Sequence, residues 1–297
     1  MAALQTQNGV IELPCRSLVG RSSLADVILQ SRRTSNEHAS IGWYSNHWVL
    51  RDLGSSNGTT VDGKPLGARD RIVLAPGNTL QFGSEAESLK VLDVAPPPPC
   101  AVLLGPQTCI WGERTMLVLP NETAPEASVF FVDGNWQVDD GTTTISPECG
   151  DIVALPSGHF RLLLPDNPGA DGFTAGYQLD LGKLELVFRY NADAVVLHLV
   201  QGSAEVRLPA RACVQTLLAL AQLRLNGNTH SGGWIATADL AELRSCSPEK
   251  INVDIHRLRK LLEEAGVHDA ARIVERDDTK KLRIRRSWPC GLRTKSM

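Results

Sequence analysis

No run of this 297-residue chain approaches eighteen consecutive apolar residues, so the sequence offers no membrane-spanning helix. The opening, MAALQTQNGVIELPC, has no basic region leading into an apolar one, which argues against a secretory signal and for a cytoplasmic protein. There is no C-x-x-C and no H-E-x-x-H. Seven cysteines, an odd number scattered from Cys15 to Cys290, suit neither a disulfide framework nor a zinc site and read as reduced, buried thiols. No cofactor is implied. What is present is an ordinary globular composition, 42% hydrophobic and 21% charged, in a chain long enough for two or three domains.

The net charge of −3 is unevenly spread. Residues 1–249 carry 17 Lys and Arg against 26 Asp and Glu, net −9; residues 250–297 carry 13 against 7, net +6. A basic end on an acidic body suits either a polyanionic partner or a solvated basic face.

Before the proline run VAPPPPC (Val94 to Cys100), short apolar segments such as GVIEL, DVIL, HWVLRDL and NTLQFG alternate with Gly, Asn, Asp and Ser clusters. Strands with such frequent turn signals indicate a β-sandwich or barrel. The prolines cannot continue a sheet or helix and mark a boundary. Residues 100–175 continue as a β-rich module, and HASIGWYSNHWVLRDLG and EASVFFVDGNWQVDDG share a pattern that suits either an internal repeat or the general similarity of β-meanders. From about 176 the texture changes to short strands, three helices and a hairpin. The third helix starts at Ser247 as N-cap with Pro248 behind it, buries Ile251, Ile255, Leu258 and Leu262, and stops at Gly266. The expected fold is therefore multidomain and mainly β: a sandwich over 1–95, a β-rich module over 100–175, and an α+β domain over 176–290.

The stretch DLGSSNGTTVDG (Asp52 to Gly63) contains G-x-S-x-G, the pattern of a hydrolase nucleophile elbow. That elbow needs a helix after the serine, and β-branched TTV follows instead. A calcium loop would need oxygen ligands where Lys64 and Pro65 stand. What fits is a tight Asn-Gly turn presenting Ser55, Ser56 and Asn57, whose hydroxyls, amides and backbone N–H groups suit a phosphate and a peptide.

Residues from about Ile11 to Val94 resemble the forkhead-associated (FHA) domain, a β-sandwich that binds phosphothreonine peptides. The resemblance rests on LVGR (with Arg21), SNEHASI (with Ser35 and His38), WVLRDLGSSNGTTVDG and GNTLQFG, in the family's order. It implies that Arg21 pairs with phosphate, as its guanidinium fork suits, and that Ser35 donates its hydroxyl to it. Ser56 would add a phosphate contact and Asn57 would hold the peptide backbone. Asn36 stands in the binding set where many members carry Arg or Lys. His38 and Thr59 match structural positions, and Asp62 replaces the Asn of the family's N-G.

Residues from about 178 to 288 resemble the winged-helix output domain of OmpR/PhoB-type response regulators. INVDIHRLRKLLEEAG is similar to that family's recognition helix, with its V-D-x-H-x-x-R-L-R-K pattern; GWIATADL behind an FHA domain also resembles an arrangement in bacterial FHA proteins. By position, Lys250, Val253, Asp254 and Arg257 would face a DNA major groove, while His256, Arg259, Lys280, Lys281 and Arg283 would meet phosphates. Asp254 and the wing's Asp277-Asp278 depart from a basic surface, and the wing lacks the family's Gly-Tyr turn.

Together these features imply a non-enzymatic signalling protein. Its partners would be a threonine-phosphorylated protein, such as a Ser/Thr kinase or its substrate, and double-stranded DNA, with no membrane. The alternative is a protein–protein adaptor in kinase signalling that does not bind DNA.

Overall fold

The computed structural model describes residues 1–67, 70–166, 168, 179–190, 195–226, 232–277, 279–285 and 293–296. Contacts group the chain into two compact units. The first comprises residues 1–115, 148–154 and 158–172; the second comprises 116–147, 155–157 and 173–297. Both draw on the stretch 100–175. Among the described residues no helix is long and apolar enough to cross a membrane.

The first unit opens with two sheets. The six-stranded one runs in the order Gly9–Glu12, Ala2–Thr6, Ser88–Val94, Thr79–Phe82, Thr59–Val61, Lys64–Pro65. The five-stranded one runs Val27–Ile28, Arg16–Gly20, Ala39–Tyr44, His47–Asp52, Arg71–Val73. Side chains alternate along each strand, so Trp48, Leu50 and Asp52 share the inner face of theirs while His47 and Arg51 are exposed. The inward rows form one core that includes Leu4, Val19, Ile41, Trp48, Leu80 and Phe82. Trp43 meets Trp48 edge-on at 5.6 Å between ring centroids, an arrangement favoured by the ring quadrupoles.

The segment Leu53–Gly58 does not close a hairpin. It carries the chain from His47–Asp52 in one sheet to Thr59–Val61 in the other. Gly54 and Gly58 take positive φ (84° and 75°) and Asn57 does not. The tight hairpins lie elsewhere, at Ser45-Asn46 and at Asp62-Gly63, where both turn residues have positive φ. Asp62 fills its own turn: its carboxylate accepts from the Thr79 N–H at 2.8 Å and from Asn78 Nδ2 at 2.7 Å.

The proline run is packed rather than open. Pro97 and Pro99 are buried, and the Trp48 indole N–H reaches Ala95 O just before the run, at 3.0 Å. Beyond it a further sheet runs Thr108–Trp111, Cys100–Leu103, Gly158–Leu163, Ile152–Leu155. Cys100, Val102 and Leu163 of this sheet join the core of the first unit.

In the second unit, Met116–Leu119, Ala127–Val132, Asn135–Asp139 and Thr144–Ile145 form a sheet in chain order. Its central hairpin has the same form as that of Ala39–Tyr44 and His47–Asp52. Both end on two positive-φ residues, here Asp133-Gly134, and Ser128 opposite Asp139 matches Ala39 opposite Asp52 at the open end to within one residue. Farther along, Glu185–Tyr190, Val195–Gln201 and Ala204–Leu208 form an antiparallel meander. Three helices follow: α1 (Ala212–Asn226), α2 (Thr237–Leu243) and α3 (Pro248–Glu264). The Ser247 hydroxyl accepts the Lys250 N–H and caps α3, and Gly266 with φ 78° lies just past its end. Val274–Arg276 and Lys281–Ile284 then pair as a hairpin, with Ile235–Ala236 added on the far side of Lys281–Ile284. The apolar stripe of α3 packs into a core with Leu217, Leu220, Leu186 and Phe188. Six described cysteines are free thiols; Cys290 and Asp278 lie outside the described residues.

Candidate functional site

Gly20 closes its strand against the backbone of Asn36, where a Cβ would fall well inside contact distance of the Asn36 carbonyl. That close approach requires glycine. It also aligns two backbone bonds, from the Arg21 N–H to Ser35 O at 2.9 Å and from the Ser22 N–H to Asn36 O at 3.1 Å. Arg21 is thereby fixed beside Ser35 and Asn36. Its side chain is exposed, and Nε reaches Thr34 O at 3.4 Å, leaving the two terminal nitrogens for a ligand.

The turn after Asp52 reaches the same rim. The Ser56 N–H donates to Ser35 Oγ at 3.1 Å, which positions Ser35 and leaves its hydroxyl proton free to donate. Asn57 Nδ2 donates to Arg33 O at 2.8 Å, leaving Oδ1 for a peptide N–H. Asn36, Ser56 and Asn57 are exposed and Ser35 is half-buried. The structure thus brings together all five rim residues singled out in the sequence.

What holds the rim is a pair of residues outside that set. Asp52 is buried, and its carboxylate accepts from the Gly54 N–H (2.8 Å), the Ser55 N–H (2.8 Å), the Ser55 hydroxyl (2.7 Å) and the Thr59 hydroxyl (2.5 Å). Burial alone would raise its pKa; these bonds overcome that and hold it below the ordinary carboxylate range. His38, fully buried, accepts the Ser35 N–H on Nδ1 at 3.1 Å, so its proton sits on Nε2 and is donated to Gly58 O at 3.1 Å. Burial lowers its pKa, against the pull of Gly58 O and of Asp52, and the ring stays neutral. One imidazole therefore ties the Ser35 loop to the Gly58 turn. The sequence carried a signal for Asp52, since an aspartate two and three residues ahead of turn N–H groups is the pattern of an Asx turn.

A family model described as the FHA domain matches residues 18–83. The N-terminal sandwich is an FHA domain. Among solved structures, the chain is similar to the FHA domain of FhaA in complex with the intracellular domain of Rv3910 (27% identity, 31% of this chain and 99% of that one, TM-score 0.28). It is also similar to an FHA domain analysed for phosphothreonine-dependent interactions (28%, 31% and 95%, TM-score 0.28). A third is the FHA domain of a hypothetical protein of Arabidopsis thaliana (25%, 32% and 87%, TM-score 0.30). No curated protein matches the chain.

Beyond the FHA domain, the residues offered for DNA divide. His256 and Arg259 are each about 3% exposed, not free for phosphates. His256 Nδ1 is hydrogen-bonded to the Ser128 hydroxyl. Arg259 donates from Nη1 to Asp139 Oδ2 (2.9 Å), from Nε to Ala271 O (3.1 Å) and from Nη2 to Val274 O (3.3 Å), and its guanidinium lies 4.6 Å from the Phe130 ring centroid. Arg276 adds a bond from Nε to Asp139 Oδ1 at 3.2 Å. Burial would raise the Asp139 carboxyl; the two guanidinia and the Gly141 N–H hold it below its usual range instead. The sheet of residues 116–145 thus covers one face of α3. Asp254 does not face outward either: it is buried, accepts from the Thr216 hydroxyl of α1 at 2.8 Å and is paired with Lys250. Val253 is half-buried and Arg257 exposed. On the hairpin, Lys280 and Lys281 are exposed, whereas Arg283 bonds Glu275 at 2.7 Å and lies over the Trp234 ring at 4.1 Å.

Proposed function

We propose that this is a signalling protein that docks a threonine-phosphorylated partner on the FHA rim and couples that docking to a C-terminal winged-helix domain. The observation that carries the first part is the Ser56 N–H to Ser35 Oγ bond beside Arg21. It gathers a guanidinium, a hydroxyl with a free proton and two exposed turn residues in one place. Such a rim supplies charge-assisted bonds to a phosphate and an amide acceptor for the peptide. The Arg21 side chain makes one long bond to the protein, so Arg21→Ala keeps the backbone bond to Ser35 and leaves the fold intact while removing the cation. In calorimetric titrations with phosphothreonine peptides chosen from an oriented library, that variant loses about 10- to 100-fold in affinity. Unchanged affinity with an intact fold would defeat the assignment.

The sheet, three helices and hairpin of residues 185–284 support the winged-helix reading, in the order that resemblance implies. The covered face of α3 favours a regulatory or protein-binding role for this domain over direct DNA contact. Two side chains offered for phosphates, Arg259 and His256, are engaged inside the protein. DNA affinity falling steeply with added salt would restore the DNA-binding reading. The matching hairpins support a further part of the proposal, that residues 100–175 are a degenerate FHA-like repeat in which Asp139 grips α3 where Asp52 caps its turn.

A further inference from the structure

Cys15 and Cys149 are separated by 134 positions, yet their sulfurs lie 3.8 Å apart in the first unit. We infer that they form a peroxide-responsive dithiol that closes reversibly to a disulfide.

The surroundings give the two thiols different roles. Cys15 is 2% exposed, and its carbonyl accepts the Trp43 N–H at 2.8 Å, so its backbone is held against the FHA core. Cys149 is half-buried in a turn, where a hydroperoxide can reach it. The Leu164 N–H donates to its sulfur at 3.4 Å, a bond that favours the anion over the thiol. The Cys15 thiol donating to Cys149, with help from that N–H and from the Arg16 charge, outweighs burial and brings the Cys149 pKa down to about 7. The same contact, with burial, drives the Cys15 pKa up. Thiolate is the nucleophile in thiol chemistry, so Cys149 attacks and Cys15 resolves.

The chemistry balances. The Cys149 thiolate attacks the terminal oxygen of a hydroperoxide; the O–O bond breaks, water or an alcohol leaves with a proton, and Cys149 carries a sulfenic acid. The Cys15 sulfur then attacks that sulfur; the S–S bond forms, the S–O bond breaks, and hydroxide leaves as water with the Cys15 proton. Two thiols and one hydroperoxide become one disulfide, one alcohol or water, and one water. Closing the gap to an S–S length of ~2.05 Å is a movement shared between one fixed and one turn-borne side chain. A second thiol pair is followed in parallel: Cys100 and Cys109 sit on adjacent strands, Cys109 opposite Val102, and the hydrogen bond between their sulfurs raises the Cys100 pKa and lowers that of Cys109.

The test uses the full chain, reduced, desalted and exposed to a small excess of hydrogen peroxide before the remaining thiols are alkylated. Trypsin separates Cys15 (residues 1–16), Cys149 (115–161) and the second pair (91–114). Expected is a linked 1–16/115–161 product two hydrogens lighter than its parts, returned to separate peptides by dithiothreitol. In Cys15→Ser, Cys149 accumulates as a sulfenic acid trapped by dimedone; in Cys149→Ser, no linked product forms. Oxidation confined to 91–114, or Cys149 alkylated as fully as without peroxide, overturns the inference. The wild-type mapping stands even if a variant fails to fold.

Discussion

Asp139 and Arg259 meet at 2.9 Å with both side chains about 3% exposed, one at the end of a β-strand and the other in the middle of α3. A pair this dry contributes little net energy when complete, but removing one member strands the other charge. Asp139→Ala leaves two guanidinia facing each other and costs about 3–5 kcal/mol. Arg259→Met, in which Asp139 keeps Arg276, costs less. Urea unfolding monitored on the full chain measures both; a loss below about 1 kcal/mol for Asp139→Ala would mean that the sheet does not stay on the helix in solution.

Acid should loosen the same contact. Burial and the neighbouring Arg259 charge push the His256 pKa down from 6.5 to about 4. The unfolded chain therefore takes up a proton first as pH falls. The stability present above pH 6.5 is lost progressively between 6.5 and about 4, by up to about 3 kcal/mol. His38 in the FHA domain is also held low, so the informative quantity is the difference between wild type and His256→Gln across this window. The variant's curve is expected to be flatter; parallel curves would assign the acid sensitivity elsewhere.

Asp52 is expected to matter to the rim without touching a ligand. Asp52→Ala leaves the Gly54 and Ser55 N–H groups and the Thr59 hydroxyl without their acceptor and costs about 2–4 kcal/mol. Ser55→Ala removes one of the four bonds and costs about 1 kcal/mol. Thermal unfolding gives the first quantity and peptide titration the second: both variants should weaken phosphopeptide binding, Asp52→Ala the more. Full binding by a folded Asp52→Ala would show that the turn holds its shape by other means.

Much of the FHA domain was legible because LVGR, SNEHASI, WVLRDLGSSNGTTVDG and GNTLQFG stand in the order of the family they resemble. The five rim residues could be named from those motifs. The tight Asn-Gly turn expected there is instead a longer passage in which Gly58 takes positive φ and Asn57 does not. Which strands pair across a sandwich is a non-local matter, and here the chain changes sheets between Asp52 and Thr59. The α3 stripe was legible from its 3.6-residue period and its Ser-Pro start. The burial of His256 and Arg259 was not, because HRLRK has the composition of a solvated helix face. Nothing local announces a sheet that begins more than a hundred residues earlier. The proline run does stop the strands, and the packing of Pro97 and Pro99 is a non-local matter that their composition does not announce.

The passage from Asp52 to Thr59 is at once the edge proposed to meet a ligand and the seam joining two sheets. Its length is pinned at both ends, by a carboxylate inside the sandwich and by the His38 ring clasping Gly58. Insertions here would pry the layers apart before they reshaped the recognition surface. On the proposed function, preference among ligands would then change by exchanging exposed side chains such as Asn36 and Asn57, one letter at a time.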